Sequence, residues 1–85
     1  MQQIDFYLRG GYITLDNLLK ATGATSSGAT AKQSVAGGLV SVDGQQELRK
    51  TAKIRAGQLV QFSAGSQSLH IRVLPEVDDS TSGLP

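Results

Sequence analysis

The stretch from Ser26 to Gly44, SSGATAKQSVAGGLVSVDG, constrains the fold more than any other part of the chain. A side-chain oxygen of Ser26 or Ser27 can accept an otherwise unpaired amide at a helix start. Ala31 and Val35, one turn apart, mark the buried side of that helix, and Lys32 flanks it about 100° round from Ala31. Gly28 and Ala29 are small and leave the first turn open to close approach. The Gly37-Gly38 pair then stops the helix, because glycine reaches positive φ without a Cβ clash. Leu39, Val40 and Val42 predict a strand, Asp43-Gly44 predicts a type I′ hairpin, and Gln45 to Leu48 should pair back along it.

Elsewhere the same signals recur more weakly. Ile4, Phe6 and Leu8 alternate with polar neighbours, the period of a half-buried strand, which Gly10-Gly11 ends. Leu15, Leu18 and Leu19 fall on one helical face, so the first helix is placed at Leu15 to Thr22. Thr14 is its expected cap through the side-chain hydroxyl, Ile13 and Leu18 have the spacing of a hydrophobic staple, and Gly23 is the stop. Leu59, Val60 and Phe62 form one later strand. After a loop at Ala64-Gly65-Ser66, Leu69, Ile71 and Val73 form another, with His70 and Arg72 facing away from the core. The expected class is α+β: two packed helices against a small, mostly antiparallel sheet.

At 85 residues the chain holds one core, assigned to residues 1–74. Residues 75–85 carry Glu76, Asp78 and Asp79 and no cation, with nothing apolar enough to pack, and are read as a disordered acidic tail. There is no cysteine and only one histidine, which leaves no disulfide, no thiolate chemistry and no zinc cage. No cofactor or metal is expected. No nucleophile and base pair stands out, so the chain is not read as an enzyme. No apolar run approaches the ~18 residues of a membrane span, so a cytoplasmic location is expected. Without the tail, eight cations face Asp5, Asp16, Asp43 and Glu47, a net charge of +4 on the folded part.

Half of those cations lie in Arg49 to Arg55: Arg49, Lys50, Lys53 and Arg55, interrupted only by Ile54 as a large apolar residue. On charge pattern alone such a run is an ordinary solvated surface. It can equally follow a phosphate backbone, lysines acting as point charges and arginines as forked grips. Lys32 beside the buried face is a further candidate contact. The first-turn amides at Ser27, Gly28 and Ala29 could form a backbone notch for an anion, or simply be a capped helix start. The few aromatic residues argue against a base-stacking platform.

The ordered set Leu15, Leu18, Leu19, Ser27, Ala31, Lys32, Val35, Gly38, Val40, Val42, Asp43, Gly44 and Gly57 resembles the RNA-binding domain first known from the fourth protein of the small ribosomal subunit, the S-four domain. Two positions depart from the family pattern: Gly28 stands where most members carry arginine, and Gln58 where aspartate is usual. Ser27-Gly28-x-x-Ala31-Lys32 with Arg49-Lys50 and Lys53 is more similar to small stand-alone bacterial members, the YbcJ type. The resemblance implies an αL RNA-binding motif without catalytic activity. Together with the chemistry of the residues it leads to the expectation of a monomer that contacts structured RNA, of the ribosomal or transfer RNA class, through Ser27, Gly28, Ala29, Lys32, Arg49, Lys50, Lys53 and Arg55. The rival reading is a protein-interaction module whose basic surface meets an acidic partner or the chain's own tail.

Overall fold

The computed structural model describes residues 2–65 and 67–76. In chain order these form β1 (Gln2–Tyr7), β2 (Ile13–Thr14), α1 (Leu15–Ala21), α2 (Gly28–Ala36), β3 (Val40–Val42), β4 (Gln45–Gln46), β5 (Lys53–Ile54), β6 (Leu59–Ala64) and β7 (Gln67–Leu74). The tail reading for residues 77–85 and the Ser66 part of the predicted loop lie outside the described residues. Pro75 and Glu76 are exposed and belong to neither helix nor strand. Among the described residues no helix is long and apolar enough to cross a membrane.

The main sheet has five strands in the order β1-β7-β6-β3-β4. All its pairings are antiparallel except β1 with β7, which run parallel with Ile4 opposite Ile71 and Phe6 opposite Val73. The chain therefore closes its first strand onto its last, and everything between them is the crossover that a parallel pair requires. A second sheet holds only β2 and β5, antiparallel, with Ile13 opposite Ile54 and Thr14 opposite Lys53.

One apolar cluster joins helices and sheets. Leu15, Leu18 and Leu19 of α1, Ala31 and Val35 of α2, and Val40, Val60, Ile71 and Val73 of the sheet are fully buried, and Ile54 is 1% exposed. Burying a side chain of this size contributes roughly 1.5–3 kcal/mol, so the cluster carries most of the driving force for folding. Ile54 is the informative member, since it pins the middle of the cationic stretch to the core. Leu39, expected in the strand, precedes it and is 41% exposed, its amide donating to the Ser34 carbonyl at the end of α2.

The helix and hairpin signals act as read. Ser27 Oγ accepts the Thr30 amide at 3.2 Å, Gly23 and Gly38 adopt φ of +78° and +80°, and Asp43 and Gly44 both have positive φ as a type I′ turn demands. Thr14 differs. It occupies the cap position of α1 but makes no side-chain cap bond. The Leu15 and Asp16 amides instead donate, each at 2.9 Å, to the carbonyls of Ala52 and Lys50. Backbone from the cationic stretch has taken the place of a hydroxyl.

Candidate nucleic-acid interface

That substitution of carbonyls for a cap fixes residues 49–55. Besides the two bonds to α1, the Ala52 amide donates to Arg49 O at 3.1 Å, making a tight turn, and the Lys53 and Ile54 backbone pairs with β2. At the far end the Arg55 amide donates to Gln58 Oε1 at 2.7 Å, and the Gly57 amide, at φ +93°, donates to Val73 O at 2.9 Å. The stretch is thus part strand, braced at both ends. The Lys50 and Ala52 carbonyls are bonded to α1 while the side chains of Arg49, Lys50, Lys53 and Arg55 are exposed.

Gln58, at one of the departures from the family pattern, joins this bracing. Its Oε1 holds the Arg55 turn, and its Nε2 reaches Asp43 Oδ2 at 3.4 Å. Asp43 Oδ1 in turn accepts the Leu59 amide at 2.9 Å. The hairpin tip and the end of the cationic stretch are therefore one hydrogen-bonded unit, which is the role Asp43 plays beyond its own turn.

The four cations are not equivalent. Glu47, just before the stretch, accepts from both the Arg49 amide at 3.0 Å and Arg49 Nε at 3.3 Å through Oε2. The Arg49 amide above all holds the Glu47 carboxyl below its ordinary range; burial opposes it, and the Arg49 guanidinium adds to the lowering. Arg49 keeps 80% of its side chain exposed, yet one of its nitrogens is already engaged. Lys50, Lys53 and Arg55 have no acidic partner among the described residues.

Tyr12 is the residue that sequence reasoning passed over. It precedes β2 and is 46% exposed, and its ring lies beneath Lys53 Nζ, 5.1 Å from the centroid, and Arg55 Cζ, 5.9 Å away. Such contacts contribute about 0.5–1 kcal/mol each at exposed sites, enough to bias where the two cations sit. The signal that could have found it is the β2–β5 register, which brings the residue before Ile13 beside the residue after Ile54.

Lys32 is exposed on α2 next to fully buried Ala31. Among the described residues no hydrogen bond or ion pair ties it to residues 49–55; what relates them is the packing of α2 on α1, whose start carries the cationic stretch. At the start of α2, Ser27 is occupied as a cap, its Oγ also lying 3.1 Å from Thr30 Oγ1. Above Gly28 there is open space: a Cβ built there meets nothing within 4 Å. Nothing in the structure demands glycine at that departure from the family pattern.

This arrangement, a helix pair on a mixed sheet with a braced cationic strand at the start of α1, defines the class. The S4 domain profile matches residues 6–72, and the chain belongs to that family. YbcJ of Escherichia coli (strain K12) is 49% identical over 55 residues, covering 65% of this chain and 79% of YbcJ, and YbcJ of Shigella flexneri matches to the same extent. The solution structure of E. coli YbcJ, described as revealing an αL motif involved in RNA binding, superimposes with a TM-score of 0.61 at 40% identity, over 85% of this chain and 90% of that one.

Proposed function

We propose that the chain is a non-catalytic module that binds structured RNA, of the ribosomal or transfer RNA class, by gripping its phosphate backbone. One observation carries this reading: Lys50, Lys53 and Arg55 project without acidic partners from a backbone braced to α1, in a member of a family with an RNA-binding motif described for its YbcJ relative. Fixed cations lose less conformational freedom on meeting phosphates than cations on a free loop, and each neutralised phosphate releases counterions. In this reading Arg49 and Lys32 flank the central three. The amides of Gly28 and Ala29, beside the Ser27 hydroxyl that takes the Thr30 amide, offer an anion notch at the start of α2. Residues 1–74 of a single copy suffice for binding.

The test is a fluorescence-anisotropy titration of the full chain with an RNA hairpin, the matching single strand and a DNA duplex of equal length, at several salt concentrations. The hairpin should bind tightest, with log affinity falling linearly in log salt by roughly 0.7–0.9 per phosphate engaged. Equal, weak binding to all three at physiological salt would reject structured RNA as the partner. It would return the basic surface to the protein-interaction reading.

A further inference from the structure

The loop between β1 and β2 encloses a groove of about 300 Å³ lined by Phe6, Tyr7, Leu8, Arg9, Tyr12 and Ile13. This is the low end of the range of small-ligand clefts, about 300–1,000 Å³, with room for a ring system and none for a helix. Two large aromatic residues on it remain open, Tyr7 at 53% and Tyr12 at 46% exposure. No acidic residue lines it. Arg9 supplies a cation from within the lining, and Lys53 and Arg55 stand over the Tyr12 ring. Asp5, the acid nearest in sequence, is engaged on Arg72 at 3.3 Å.

An aromatic cleft rimmed by three cations complements a ligand that is flat and apolar in one part and anionic in another. We propose that this groove receives one unpaired nucleobase of the RNA, its ring against Tyr12 and Tyr7, with the adjoining phosphates on Arg9 and on Lys53 and Arg55. The inference rests on the RNA-binding reading and narrows it. A base inside a continuous duplex is stacked and paired and cannot enter such a cleft, whereas a bulged or loop nucleotide beside helical phosphates can. The partner is then a stem interrupted by an unpaired nucleotide. Lys53 and Arg55 serve both halves of the contact, because they lie where the aromatic cleft meets the backbone-gripping stretch.

The experiment uses two hairpins with the same stem, one fully paired and one carrying a single bulged 2-aminopurine, titrated with the full chain and with Tyr12→Ala, Tyr12→Phe and Tyr7→Ala variants, each checked for folding by circular dichroism. The bulged RNA should bind at least about fivefold tighter than the paired one, the lower bound for one base stacked on an aromatic side chain, and its 2-aminopurine emission should be quenched. Tyr12→Ala should bring the ratio of the two affinities close to one, and Tyr12→Phe should restore it. Tyr7→Ala reads the same ratio if Tyr12→Ala does not fold. Equal affinities with unchanged emission would overturn the base site and leave phosphate recognition standing. A bulge preference surviving both alanine variants would overturn the assignment to this groove. Binding to neither hairpin would overturn the RNA reading itself.

Discussion

Two polar surfaces of this molecule differ in how their charges are used. On the face of the main sheet away from the core, Gln3, His70, Gln61 and Ser41 lie side by side in register across four strands. His70 Nε2 is 3.3 Å from Gln61 Nε2, and in the next row Arg72 pairs with Asp5 through Nε and Nη2, both at 3.3 Å. Every charge there has a partner directly across the strands. On the β2–β5 side, Lys50, Lys53 and Arg55 have none among the described residues, although backbone hydrogen bonds brace their stretch to α1, β2 and Gln58. A face that only needs to be wet can neutralise itself. One that keeps cations apart from acids maintains a field that an outside anion can answer.

The largest expected effect tests that contrast. Replacing Lys50, Lys53 and Arg55 together by alanine should weaken RNA hairpin binding roughly 10- to 100-fold at low salt and lower the salt slope by about 2–3, as three phosphate contacts are removed. The circular dichroism spectrum and melting should stay close to wild type, since all three side chains are exposed and Ile54 remains in the core. A folded triple variant with the original affinity and slope would make the unpaired cations as idle as the paired ones.

A smaller effect is expected on the other face. Arg72→Ala breaks the Asp5 pair, whose side chains are 54% and 39% exposed, and should change stability by no more than about 1 kcal/mol in urea unfolding. Hairpin affinity should stay within about twofold of wild type. A loss matching that of a single cation in the 49–55 stretch would place RNA on the sheet face instead and dissolve the distinction between the two surfaces.

Local signals made most of the frame legible. Serine caps, leucine spacing, paired glycines and Asp43-Gly44 act within a few residues, and each element they predict is present within a residue or two. What escaped needs contacts distant in sequence. The strands β2 and β5 are two residues each, too short for any period, and exist because Ile13 and Ile54 meet over the core. The Thr14 hydroxyl lost its capping role to carbonyls some 36 to 38 positions along the chain, an exchange no window of sequence displays. An overall count of aromatic residues does not single out Tyr12, whose importance lies in the register that sets it beneath Lys53 and Arg55. The engagement of Arg49 was within reach: Glu47 stands two residues earlier, on the same side of an extended segment.

Glu47 gives the finest test of the comparison, because it is the acid that pairs with a cation of the basic stretch. Its carboxyl titrates below the ordinary 4.5 in the folded chain, first through the Arg49 amide it accepts. With the folded value depressed, its stabilising contribution is fully present above about pH 4.5 and is lost as pH falls through the lower folded value. Comparing melting of wild type and Glu47→Gln across pH should cancel the other carboxylates. The difference, within about 1 kcal/mol for so exposed a pair, should be flat from neutral pH to roughly 4.5 and shrink below it. A gap that closes above about pH 5.5 would assign the stabilisation to another group. The same substitution removes the negative charge beside Arg49, so hairpin affinity at neutral pH should rise about two- to fivefold with a steeper salt slope. Unchanged affinity would mean that Arg49, though part of the cationic stretch, stays outside the contact, leaving Lys50, Lys53 and Arg55 to make it.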